Sequence, residues 1–258
     1  MAETTFHSLV ENLEHYLEYQ RDEGTERMEV DRAVLAELAG RPDVAPAAAV
    51  EAPVAVAVPI PEHLQSIEEI AAHVSTCRNC PLCGGRTNTV PGEGNADAPD
   101  IMFVGEGPGA DEDAQGRPFV GEAGQLLTKM IDAMGYRREE VFITNIVKCR
   151  PPNNRPPLPE EMEACLPYLR QQIGLIKPKT IIGMGATAVK GLLGKTAGIT
   201  RLRGTWQEYD GIRLMPTFHP SYLLRDPSKK KEVWQDLQQV LKELGKEPPP
   251  KKKTDGNK

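Results

Sequence analysis

Ile101-Met102-Phe103-Val104-Gly105-Glu106-Gly107-Pro108-Gly109 is the stretch that decides the fold. Four consecutive apolar residues are too few for a helix, and with glycine punctuation behind them they read as a strand buried on both faces that ends in a loop. Working outward toward the C-terminus, apolar periodicity predicts a helix over 124–134 stopped by Gly135, a strand over 141–147, and a helix over 160–176 despite Pro167. A strand over 180–184 and a short helix over 186–193 follow. Residues 204–217, with Asp210-Gly211 as the turn, read as a hairpin feeding the last strand, and 232–244 as the closing helix. Toward the N-terminus a helix is expected over 64–74. Strands alternating with helices give the α/β class, a small parallel sheet flanked by helices in three layers. In such sheets ligands bind beyond the carboxyl ends of the strands, so the residues just after each strand carry most functional weight.

Charge divides the chain unevenly. Residues 1–70 hold 15 Asp/Glu against 4 Arg, a net of -11, so the overall -6 conceals a body with a net of +5. That balance is a weak pointer to a polyanionic partner. Residues 1–40 read as an acidic helical arm, with Leu9, Leu13, Tyr16 and Leu17 at helical spacing. Residues 41–61 read as a flexible Ala/Pro/Val-rich linker, 62–246 as the folded domain, and 247–258 as a disordered Lys/Pro-rich tail. The chain shows no apolar run of membrane-spanning length and no basic-then-apolar leader, so the expectation is a soluble, cytoplasmic, monomeric protein with no membrane partner. What the arm binds is not written in its residues. Five cysteines in such a chain do not read as a disulfide framework.

The first loop, Gly105 to Gly109, leads into the acids Asp111, Glu112 and Asp113 and then Gly116-Arg117-Pro118-Phe119-Val120-Gly121. Its glycines allow backbone to approach a flat ligand closely. By spacing, Gly105, Gly107 and Ala110 also fit a dinucleotide fingerprint. Against that fit, three acids would repel pyrophosphate and the next helix is expected only later. The second strand ends in Thr144-Asn145-Ile146-Val147-Lys148-Cys149-Arg150-Pro151-Pro152, where Asn145 is a donor and acceptor in an apolar setting. Taken alone, such an Asn is more often a satisfied core residue. His219, in Phe218-His219-Pro220-Ser221-Tyr222-Leu223-Leu224-Arg225, sits at the carboxyl end of the last strand.

GEGPG, GRPFVG, TNIVKCRPP and FHPSYLLR, in this order, resemble the family-four uracil-DNA glycosylases, the iron-sulfur branch of that fold, from about Cys77 to Leu244. The resemblance implies hydrolysis of the N-glycosidic bond of uracil in DNA, with the base flipped out of the helix and an abasic site left behind. It implies that Phe119 stacks on the extruded base, that Asn145 reads its hydrogen-bonding edge, and that Gly105 and Gly107 shape the pocket. It further implies that His219 donates to O2 as negative charge develops there. Where other branches carry an aspartate this chain has Gly107, so orienting water and facing the sugar cation falls to Glu106 or Glu112, or is done weakly by water alone. Glu112 is also the candidate that blocks the C5 methyl of thymine.

By spacing alone, Cys77-x2-Cys80 with Cys149 and Cys165 would suit zinc. The resemblance instead implies a 4Fe-4S cluster on Cys77, Cys80, Cys149 and Cys165, with Cys83 unmatched. Uracil-containing DNA would be met by Arg150, Arg155, Lys195, Arg201, Arg203 and Arg225, with Tyr222 and Leu223 as the wedge that fills the vacated stack. Two rivals stand beside this reading: a nucleotide-cofactor enzyme using the first loop, and a metal-stapled DNA-binding module without catalysis.

Overall fold

The computed structural model describes Leu17, Gln20, Arg21, residues 59–194 and residues 198–250. The expected arm and linker, Lys195 and the end of the tail therefore lie outside the described residues, apart from those few positions. A six-stranded sheet has the order β1-β3-β2-β4-β6-β5, with β1 at Glu93–Gly94, β2 at Ile101–Gly105, β3 at Phe142–Asn145, β4 at Thr180–Met184, β5 at Gln207–Tyr209 and β6 at Ile212–Thr217. The four inner strands run parallel. Both edges are antiparallel, β1 on β3 and β5 on β6; the second is the hairpin expected over 204–217, and the first was not expected. The short edge strands leave little open ladder for a second chain to join.

Alternation along the inner strands divides the core into two. Ile101, Phe103, Ile143, Ile182 and Met215 face one side. There they pack on α3 (Glu122–Ala133) through Leu127 and Ile131, and on α8 (Lys230–Glu243) through Leu237 and Val240. Met102, Val104, Phe142, Ile181 and Leu214 face the other, against α1 (Ile67–Thr76) and α4 (Pro159–Ile176). This is the expected three-layer arrangement. Between them lie α2 (Ala110–Gln115), α5 (Ala186–Leu193), α6 (Ile199–Leu202) and α7 (Pro220–Arg225).

The chain leaves β2 toward β3 on one side and returns to β4 on the other, so the carboxyl ends of β2, β3 and β4 open at a switch in strand order, where α/β sheets bind ligands. One expectation fails here. The loop after β2 enters a helix at once, with Gly109 as N-cap of α2, so the absence of a helix is no argument against a dinucleotide. What stands against it is charge: the first turn of α2 carries Asp111, Glu112 and Asp113, where a pyrophosphate would need bare N–H donors.

Candidate active site

A cleft of about 580 Å³ opens at these strand ends, and Glu106, Glu112, Phe119, Asn145, His219 and Arg225 share its wall. Its floor depends on Gly105. A Cβ there would stand 2.4 Å from Cζ of Phe119 and 2.5 Å from Oδ1 of Asn145, so only glycine lets the ring and the carboxamide close over the end of β2. Phe119 itself has φ 52, a left-handed conformation uncommon for a bulky residue. It is fixed from both sides, because Glu112 Oε1 accepts from the N–H groups of Val120 (2.8 Å) and Gly121 (3.0 Å). Gly124 packs so tightly that a Cβ would lie 1.9 Å from the Phe119 carbonyl oxygen. The ring then lies 5.6 Å from that of His219, tilted by 36°.

Asn145 ends β3 with 1% of its surface exposed. Its Oδ1 is buried and accepts no hydrogen bond, the one side-chain polar atom of that kind among the described residues. Native interiors pair such atoms, and an unmet one at a cleft marks where a ligand donor belongs.

His219 is the N-cap of α7. Its Nδ1 accepts from the Ser221 N–H at 3.2 Å and lies 2.7 Å from the Ser221 hydroxyl oxygen. A nitrogen that accepts carries no proton, so the neutral ring bears its hydrogen on Nε2, as a donor. Burial, aided by Arg225, pulls the imidazolium pKa down to about 4, which keeps the ring neutral at physiological pH.

The two candidate carboxylates are held differently. Glu112 is committed to backbone: besides Val120 and Gly121 it accepts from Gly109 N–H at 3.0 Å. Glu106 Oε2 accepts from the Thr187 hydroxyl at 2.6 Å, at the start of α5. A Cβ on Gly107 would meet Val147 Cγ2 at 2.7 Å.

The geometry is matched by ancestry. The family model of the uracil DNA glycosylase superfamily matches residues 91–238. The chain belongs to that superfamily. Among its relatives in this superfamily is the type-4 uracil-DNA glycosylase of Thermotoga maritima, 49% identical over 185 residues, which are 70% of this chain and 96% of the relative. The Sulfurisphaera tokodaii type-4 enzyme is 46% identical over 69% of this chain and 84% of its own length. The Archaeoglobus fulgidus type-4 enzyme is 40% identical over 72% and 97%.

Two expected site elements of this superfamily member need correction. Tyr222 and Leu223 are 7% and 1% exposed, and Tyr222 packs on Phe218 at 5.0 Å between centroids. Side chains locked into the core cannot project into a base stack, and the exposed apolar residue of α7 is Leu224, at 42%. Arg155 reaches the cleft, but its guanidinium forms a two-pronged pair with the buried Glu161 carboxylate at 2.8 and 2.6 Å, which anchors the start of α4. Arg203 likewise pairs with buried Asp236 behind β6. Arg150 donates to Asn154 Oδ1 at 2.7 Å.

Asn153 and Asn154, both with positive φ, line the cleft. Sequence reading passed over them, although asparagines beside prolines mark this conformation. Gln20, from the expected arm, also lines the cleft.

Beside the loop that follows β3 lies a second, smaller cavity, walled by Cys77, Cys80, Cys83, Cys149 and Cys165 with Lys148 and Arg86. Arg86 donates to Cys149 Sγ at 3.1 Å and to the Ser75 carbonyl at 2.9 Å. Burial pushes the thiol of Cys80 up to about 11 and that of Cys165 to about 12. Thiols so placed ionise only if a cationic centre joins them. Among the described residues no three His, Cys, Asp or Glu side chains gather as ligands of a single ion. No helix among them is long and apolar enough to cross a membrane.

Proposed function

We propose that this chain is a monofunctional uracil-DNA glycosylase that holds an extruded uracil between Phe119 and Asn145 and hydrolyses its bond to deoxyribose. The observation that carries the reading is the buried, unpartnered Oδ1 of Asn145 beside an aromatic ring over a glycine floor. Uracil presents an N3–H donor next to its O4 acceptor, and one carboxamide answers both, Oδ1 accepting and Nδ2 donating. Cytosine presents that pair reversed. Stacking on Phe119 holds any base, by roughly 1–3 kcal/mol, so selection rests with Asn145.

As the glycosidic bond breaks, negative charge collects on the uracil ring and positive charge on the sugar. The neutral His219 donates from Nε2 to O2, and a fixed donor to a developing anion is commonly worth roughly 10²–10³ in rate. Of the two glutamates we assign water orientation to Glu106, because Glu112 already accepts three backbone N–H groups. Glu112 becomes a rigid wall beside the base, placed to exclude a C5 methyl group.

We assign a 4Fe-4S cluster to Cys77, Cys80, Cys149 and Cys165, a reading supported by their place on the wall of one cavity. Four thiols spread over the wall of one cavity suit a polynuclear body that takes one thiolate per iron. Such a cluster would tie the segment after α1 to the loop after β3 and to α4. No step of the hydrolysis is asked of it.

Asn145→Asp tests the base-reading role. The carboxylate cannot donate to O4, so uracil release should fall by roughly 10²-fold or more, as when a site's buried polar groups lose their partners. Near-normal release by a folded variant would return Asn145 to a structural role.

A further inference from the structure

A buried lysine stands between the two cavities. Lys148 has 0% of its surface exposed, and burying an ammonium is costly unless every N–H is met. Here each is: Nζ donates to Thr144 Oγ1 at 2.6 Å, to the Asn145 carbonyl oxygen at 2.7 Å and to Gln172 Oε1 at 2.7 Å. The surroundings fix these as acceptors. The Thr144 hydroxyl donates onward to the Pro91 carbonyl at 2.9 Å, and the Gln172 amide NH2 to the same oxygen at 2.7 Å. An ammonium has three donors and finds three acceptors.

The peptide unit between Asn145 and Ile146 is thereby gripped at both ends. Lys148 holds its C=O, and its N–H, on Ile146, donates to the Gly105 carbonyl at 2.9 Å. That grip matters because Oδ1 of Asn145 takes no support from the protein. The same lysine walls the cysteine cavity, next in sequence to Cys149 and together with Cys165.

Resting on the uracil-reading role given to Asn145, we propose that Lys148 is a positioning residue that couples the cysteine cavity to the base pocket by fixing the Asn145 peptide. It touches no reacting atom. By holding the Asn145 carbonyl it sets the angle at which the carboxamide meets the base.

The test compares the full-length wild type, Lys148→Met and Gln172→Met. Four quantities are read: single-turnover uracil release, inhibition by free uracil, affinity for uracil-free duplex, and visible absorbance. Lys148→Met should weaken inhibition by free uracil and slow release by roughly tenfold each, the worth of a charged hydrogen bond. Duplex affinity and absorbance should stay within about twofold of the wild type. Gln172→Met keeps the lysine and removes one acceptor, so it should move the same two quantities by about threefold, and it decides the matter if Lys148→Met does not fold. Unchanged inhibition and release in the folded variants overturn the proposal, as does a parallel loss of all four quantities, which would mark a purely structural lysine. Failure of the wild type to release uracil would sink the glycosylase reading itself, a separate outcome from variants that match an active wild type.

Discussion

His219 shows how one backbone hydrogen bond sets the chemistry of a side chain. Because Nδ1 accepts from the Ser221 N–H, the ring can serve the cleft only as an Nε2 donor, and neutrality follows from its buried site. His219→Ala should slow base release by roughly 10²-fold while leaving affinity for uracil DNA nearly unchanged, as expected when an interaction made only in the transition state is lost. The pH dependence follows with its sign. The folded ring stays unprotonated down to about 4, whereas in the unfolded chain it takes up a proton below about 6.5. The unfolded state binds more protons across that window, so falling pH costs stability there, and the cost should shrink in His219→Ala. Following the His219 Cε1 proton by NMR checks this, and a midpoint near 6.5 would contradict it. Asn145 and His219 could be singled out in the sequence because they sit in TNIVKCRPP and FHPSYLLR, the motifs that carry the family resemblance, although each alone reads more often as structural. Lys148 could not. Its role depends on Gln172 and Thr144, and the first of these is brought to it only by the packing of α4 on the sheet.

At the level of elements, sequence and structure agree where periodicity or turn chemistry is strong. β4 and α5 fall at 180–184 and 186–193 as read. The hairpin turns at Asp210 and Gly211, with φ 47 and 78, the left-handed pair that Asp-Gly supplies. What escaped reading was short and held by tertiary contacts: β1 has two residues, and α2 six residues without an apolar stripe, closed by the Glu112 carboxylate on Gly109. α7 hid in the same way, and with it the wedge was misplaced onto its buried residues. Leu224 is the side chain of α7 free to enter a stack. Leu224→Ala should slow excision from duplex by roughly tenfold, since filling the gap with a leucine is worth about 1.5–3 kcal/mol. Single strands have no gap to fill, so an equal loss on both would rule the wedge out. For the cysteine elements the expectation is brown protein with about four irons per chain. Cys149→Ser should abolish the colour and Cys83→Ser should keep it; colourless protein carrying one zinc would refute the cluster.

The whole molecule sets an acidic N-terminal segment against a basic body. Of that segment, Gln20 lines the cleft wall. Removing residues 1–60 should leave the rate of base release at saturating DNA intact and raise DNA affinity at low salt, an effect that fades as salt screens the acids. Complete loss of activity in a folded truncation would make the segment part of the site. The three-layer body and its carboxyl-end cleft were legible because strands and helices alternate. The antiparallel β1 edge was not, since two residues carry no period of their own and their direction is set by pairing on β3. The central claim is that this architecture selects and removes uracil, and base release from matched U:A, U:G and T:G duplexes, read as alkali-labile sites, tests it most directly. Cleavage at both uracil pairs and none at T:G is the predicted result, and intact uracil strands after incubation with folded protein would contradict the account.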